Sequence, residues 1–117
     1  MKIDEDLKKL IEENVLAFAT SDKDEKPNVI AVCDVRIVDD KLIIADNFMN
    51  KTKKNLDQNK QIALVVWNKE TGFQLKGTAE YFTSGKWVDF VKKMDKNKGL
   101  PAKGAILITI NQIKKLA

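Results

Sequence analysis

Apolar and polar residues recur along this chain with two different periods, and the changes of period divide it into elements. Ile3, Leu7, Leu10 and Ile11 fall at helical spacing, with Lys8, Lys9, Glu12 and Glu13 on the opposite face. This predicts an amphipathic helix over residues 4–14, with Asp4 placed to cap its first turn. A short polar helix is predicted over residues 50–59, with Leu56 as its clearest apolar anchor. Another is predicted over about 85–96, opened by Ser84 and carrying Trp87, Val88, Val91 and Met94 on one face.

Between the helices the period shortens. Apolar, β-branched or alternating runs predict strands over residues 15–20, 28–38, 41–45, 61–68, 73–82 and 105–110. Asp39-Asp40 reads as the tight turn of a hairpin. The strand at 73–82 alternates, with Phe73, Leu75, Gly77, Ala79 and Tyr81 against Gln74, Lys76, Thr78 and Glu80. The order α-β-β-β-α-β-β-α-β predicts a mainly β domain: a six-stranded antiparallel barrel, closed or nearly so, with three peripheral helices. The 117 residues, 44% of them hydrophobic, suffice for one domain with its own core.

Composition narrows the chemistry. The chain has no histidine and one cysteine, Cys33. A Ser-His-Asp triad, a Cys-His dyad and a haem on a proximal histidine are therefore excluded, and no metal site is expected. No run approaches the roughly 18 apolar residues of a membrane span, and the acidic start does not resemble a signal peptide, so a cytoplasmic protein is expected. The net charge is +4, and of 21 Lys and Arg residues all but Arg36 are lysine. Such a surface suits a phosphate ester. It suits nucleic acid less well, because base readout and stacking favour arginine and because the aromatics here sit mostly in apolar runs.

The segment Ala45-Asp-Asn-Phe-Met-Asn-Lys-Thr-Lys-Lys-Asn-Leu56 sets polar residues at a strand-to-helix junction. Asn50 or Thr52 is placed to cap the helix, whose free N–H groups and dipole favour an anion. Lys51, Lys53 and Lys54 crowd a first turn where the dipole opposes cations. On spacing alone a solvated helix in a lysine-rich chain is the commoner explanation, and an anion site the alternative.

Three stretches in order resemble the pyridoxamine-phosphate-oxidase-like family of FMN-binding split barrels: Lys26-Pro-Asn-Val-Ile-Ala-Val, the run from Leu42 to Val66 with Lys51, Thr52, Asn55, Leu56 and Asn59, and Gly72-Phe-Gln-Leu-Lys-Gly-Thr-Ala-Glu. The resemblance implies a homodimer with two FMN sites at the subunit interface. It implies a flavin phosphate held by Asn50, Lys51 and Thr52, with Lys53 and Lys54 in electrostatic support. It implies a flavin ring held by strand edges at Ile30, Ala31 and Val32 and at Asp46 and Asn47. Asp46 then stands where it can tune the ring. Phe48 and Trp87 are candidate aromatic walls, and Cys33 is expected to be a small buried hydrophobe.

The larger oxidases carry Ser-Arg-Lys where this chain has Asn50-Lys51-Thr52, and they bind their vitamin substrate with arginine and histidine. The chain instead resembles the small FMN-binding members, which act in electron transfer or as flavin reductase-like enzymes. No catalytic side chain is expected, because the flavin carries the reactivity. The redox partner, or a nicotinamide donor, is left open. The alternatives are a small nucleic-acid-binding barrel and a flavin-free structural or interaction barrel.

Overall fold

The computed structural model describes residues 1–116. Helix α1 (Glu5–Glu13) leads into β1 (Leu16–Ser21), β2 (Pro27–Val32), β3 (Arg36–Val38) and β4 (Lys41–Asp46). Then come α2 (Lys51–Gln58), β5 (Gln61–Trp67), β6 (Gly72–Phe82), α3 (Lys86–Lys93), a 3-10 turn (Asp95–Asn97) and β7 (Gly104–Leu116). The strands form one sheet in the order β2-β1-β5-β6-β7-β4-β3, and every adjacent pair is antiparallel. The two edge strands, β2 and β3, are consecutive in the chain. The sheet therefore curls into a split barrel with its seam at residues 33–35. Among the described residues no helix is long and apolar enough to cross a membrane.

The strand count differs from the predicted six because residues 28–38 do not form one strand. Val32 and Val35 are both buried, at 6% and 0% exposure, yet lie three residues apart. A continuous pleat would put them on opposite faces. The chain resolves the conflict by breaking at Cys33-Asp34, with Asp34 in the left-handed region at φ 56°. The last strand, in contrast, runs past the predicted Ile110 to Leu116. A bulge in its pairing with β6 at Lys76/Gly77 accommodates the polar Asn111, and Ile113 returns to pack on the core. Gly77 is obligatory there, since a Cβ would overlap the carbonyl oxygen of Thr109.

Two apolar clusters follow. The barrel interior holds Leu16, Phe18, Leu42, Ile44, Leu64, Leu75, Ile106 and Ile108, closed at one end by Leu7, Leu10 and Ile11 of α1. The second cluster lies outside the barrel wall, where Val88 and Val91 of α3, with Met94 just after it, cover Ile43, Ala105 and Leu107. Strand β4 is thus buried on both faces, which explains the unbroken run Leu42-Ile43-Ile44. Asp4 caps α1 as expected, its Oδ1 accepting from the Leu7 amide at 2.8 Å. Helix α3 ends at Lys93, and the remainder of the predicted span to 96 passes through extended Met94 into the 3-10 turn.

Candidate functional site

Helix α2 is short and polar, so apolar burial alone does not orient it. Leu56 is fully buried against the barrel. The rest of the docking is polar: Asn55 Nδ2 donates to Thr20 Oγ1 of β1 at 3.0 Å, and Asn59 Nδ2 donates to Ser21 Oγ at 2.9 Å. Gln58 Oε1 accepts from the Lys23 amide at 3.1 Å. Asn55 and Asn59 of the stretch that carries the family resemblance therefore fasten the helix to β1, and Gln58 fastens it to the turn after it.

Neither predicted cap forms. Asn50 occupies the N-cap position, but its side chain makes no capping bond. Thr52, the second residue of the helix, is 2% exposed. The first turn also lacks an acidic residue. Its N–H groups and dipole are left for an outside anion or for water. Lys51 is exposed and close enough to Asp22 to help hold that carboxyl below its usual range. The largest cause there is the Lys26 amide, which Asp22 Oδ1 accepts at 3.0 Å.

Beside this helix start lies an open, mainly apolar cavity of about 300 Å³. One wall is Ile30, Ala31, Val32 and Cys33 at the end of β2. The other is Ile44 and Ala45 of β4 with Asn47, Phe48 and Met49 beyond it. The structure thus brings together Ile30, Ala31, Val32 and Asn47, all expected near a ring. Phe48 joins them, 76% exposed. Trp87 does not, since it packs edge-on to Phe90 at 6.2 Å in the second cluster. Cys33 is exposed rather than buried, because β2 ends before it.

The loop forming the second wall is held from behind. Asp46 is 0% exposed, and its carboxylate turns away from the cavity lining into the protein. Oδ1 accepts from the Met49 amide at 2.8 Å and Oδ2 from the Tyr81 hydroxyl at 2.5 Å. Both polar atoms of the Asn47 side chain are engaged as well: Oδ1 accepts from the Ala102 amide at 2.9 Å, and Nδ2 donates to Asn97 Oδ1 at 2.8 Å. The side chains of Asp46 and Asn47 accordingly shape the wall, and their backbone is what remains to meet a ligand.

A second depression, about 430 Å³, adjoins the first across Met49. Asn50, Lys53 and Lys54 line it with Tyr81, Thr83 and Lys103, and Asp57 is the acidic residue of its lining. Lys53 Nζ pairs with Asp57 at 2.8 Å and lies over the Tyr81 ring, 5.2 Å from its centre. Lys103 Nζ donates to the Met49 carbonyl at 2.5 Å. Of the residues expected at a phosphate, Asn50, Lys53 and Lys54 line this basic depression; Lys51 and Thr52 line neither cavity. Tyr81 and Lys103 carried no local signal in the sequence, since only the β6–β7–β4 pairing brings them to the loop.

The fold is an antiparallel split barrel with an open, mainly apolar cavity beside an uncapped, lysine-flanked helix start. The model of the pyridoxamine 5'-phosphate oxidase family matches residues 3–117, and the chain belongs to that family. It is 38% identical to an uncharacterized protein of Methanocaldococcus jannaschii over 99% of this chain and 82% of that one. The crystal structure of HupZ from Group A Streptococcus is similar, at 28% identity and a TM-score of 0.88, covering 98% of this chain and 94% of the other. An FMN-binding protein of Syntrophomonas wolfei shares the fold at 19% identity and a TM-score of 0.78, covering 94% and 83% of the two chains. The same fold recurs at 16% identity in HutZ, the heme storage protein of Vibrio cholerae, and in an F420 reductase.

Proposed function

We propose that this protein binds FMN and serves as a redox protein, either a flavin reductase-like oxidoreductase or an electron carrier. The observation that carries the reading is the junction at Met49. An apolar cavity lined by Ile30, Ala31, Val32 and Asn47 meets the uncapped start of α2 there, with Asn50, Lys51 and Lys53 beside it. A flavin ring is flat and largely apolar, and its phosphate is dianionic, so one ligand satisfies both halves. The cavity sits at the lower end of the 300–1,000 Å³ usual for ligand sites, enough for a ring but not for its tail. Ile30 and Val32 would pack the ring, the 46–49 backbone would hydrogen-bond its edge, and the first-turn N–H groups and lysines would neutralise the phosphate. Bound FMN supplies the electron-transfer chemistry, and the protein supplies orientation and electrostatics.

The haem chemistry named for HutZ is less well served, because this chain has no histidine to offer an iron. Identification of the chromophore released from purified protein distinguishes FMN from a deazaflavin.

We also propose that the working form is a homodimer. Val15, Val29 and Trp67 are 50%, 64% and 50% exposed. Between them, on the outer face of β2-β1-β5, lie Ala17, Ala19, Ala31, Ala63 and Val65, opposite in phase to buried Leu16, Phe18, Leu64 and Val66. This sheet face is apolar and lies on the side of the strands away from the barrel interior. Ala31 belongs both to this face and to the cavity. A second copy seated on the face would also enclose a ring lying in the cavity.

The test is the visible spectrum. Protein purified in the presence of FMN should be yellow, with about one flavin per chain. Lys51→Ala/Lys53→Ala should weaken FMN binding by about tenfold or more, since a charge-assisted hydrogen bond contributes about 1.5–3 kcal/mol. A colourless protein that takes up no flavin on titration overturns the reading.

A further inference from the structure

We propose that Asn55 is a positioning residue for the phosphate end of the flavin site, acting through Thr20 rather than by touching the ligand; the proposal rests on the FMN reading above. Asn55 is 0% exposed and Thr20 is 4% exposed. Their hydrogen bond, 3.0 Å from Nδ2 to Oγ1, lies inside the protein, and the amide's Oδ1 has no partner there. Leaving a buried acceptor unpaired is costly, and an apolar pair of the same shape would avoid the loss. What the polar pair supplies, and an apolar pair does not, is direction.

Helix α2 has eight residues, about two turns, and few apolar contacts to fix it. Leu56 alone leaves it free to slide or roll on the barrel end. Asn55 and Asn59 lie one turn apart and bond successive residues of β1, Thr20 and Ser21. Two bonds along the helix axis fix both its position and its heading. Of the two, only the Asn55–Thr20 bond is shielded from water, since the Asn59–Ser21 bond is partly exposed. Water competes least with a shielded bond, so it is the one that sets the register of the helix. The N–H groups and lysines at the other end of α2 inherit that register, and a phosphate reads it.

The experiment compares FMN with riboflavin, which differ by the phosphate, by quenching of flavin fluorescence. The wild-type protein should bind FMN more tightly by about tenfold or more. Thr20→Val/Asn55→Leu removes the bond without leaving a new orphan. It should bring that ratio down to within about threefold of unity while leaving riboflavin affinity within about threefold of wild type. Thr20→Ser, which keeps the hydroxyl, should retain the wild-type ratio. If the double variant does not fold, Thr20→Val alone gives the same reading. A Thr20→Val/Asn55→Leu protein that keeps the full preference overturns the positioning role and leaves the phosphate site standing. A wild-type protein with no preference for FMN overturns the phosphate site, and the positioning role with it.

Discussion

The Tyr81 hydroxyl donates to Oδ2 of Asp46 at 2.5 Å, reaching from β6 across β7 to the end of β4. The bond passes over Gly104, which pairs with Asp46 in the sheet. The carboxylate's other oxygen holds the Met49 amide. One buried side chain thus ties the barrel wall to the loop between the two cavities, and Lys103 adds its cation 3.9 Å away. The loop's shape is set from inside the protein, which leaves its outer surface free to meet a ligand.

Tyr81→Phe should cost about 1–3 kcal/mol in chemical denaturation, because it strands one oxygen of a fully buried carboxylate. The pair also predicts an alkaline signature. Burial raises the Tyr81 pKa well above its ordinary value of 10.0, helped by the hydrogen bond to Asp46 and the negative charges of Asp46 and Asp57. A raised folded-state value favours the protonated phenol. The contribution to stability is therefore complete below pH 10 and is lost as pH climbs from there through the raised value. Tyr81 is the chain's one tyrosine, so its ultraviolet titration is unambiguous. Folded protein should resist ionisation at a pH where unfolded chain is half ionised. The decline in stability above pH 10 should be steeper in wild type than in Tyr81→Phe.

Gly104→Ala should destabilise by about 1–3 kcal/mol, the usual cost of overpacking. A Cβ at 104 would overlap both the hydroxyl and the ring carbons of Tyr81, whose hydroxyl is tied to Asp46. Gly77→Ala should cost at least as much, since the obstacle there is the Thr109 carbonyl itself and not a side chain. Thermal unfolding of the two variants checks the order. If Gly104→Ala also displaces Tyr81, its folded state should lose part of the resistance to ionisation, and Gly77→Ala should keep it.

Most of the barrel was legible because its strands obey simple periods. Phe73 to Tyr81 alternate as expected, Leu75, Gly77 and Ala79 being buried, and Asp39-Asp40 forms the hairpin turn with both residues at positive φ. What stayed hidden depends on pairing between distant segments. The break at Cys33-Asp34 follows from two buried valines at odd spacing, and a long apolar run masks it. The continuation of β7 past Ile110 depends on a bulge opposite Gly77. Around the helix start, Ile30, Ala31, Val32 and Asn47, which the family resemblance implies, line one cavity, and Asn50, Lys53 and Lys54, which crowd the start of the helix in the sequence, line the other. Tyr81 and Lys103 lie 35 and 57 residues from Asp46 in the chain, and no local pattern announces them.

Phe48→Ala should weaken flavin binding with almost no change in stability. The side chain is 76% exposed, so its removal uncovers little core. It lines the cavity opposite Ala31 and Val32, where it offers an aromatic face to a ring. A loss of about 0.5–1.5 kcal/mol, or roughly two- to tenfold in affinity, is expected from one aromatic contact. Flavin titration beside denaturant unfolding of the same variant separates the two effects. A variant with unchanged affinity would mean that Phe48 does not face the ring.

The outer sheet face gives the last prediction. Ala17 lies at its centre, paired with Ala31 on β2 and Val65 on β5, both of which face the same way. Ala17→Lys places a cation in the middle of this apolar strip without touching the barrel interior, which is lined by Leu16 and Phe18. If two copies meet here, each interface must bury two such lysines near the symmetry axis. A buried unpaired charge costs several kcal/mol, so the dimer should dissociate at micromolar concentration in sedimentation experiments. The monomer should keep its circular dichroism spectrum and lose flavin affinity, because Ala31 links this face to the cavity. Glu80→Lys places a lysine at an exposed position of β6 outside the strip, with an even larger change in net charge, and should leave both assembly and flavin binding unchanged. If Ala17→Lys stays dimeric, the two copies meet through some other surface.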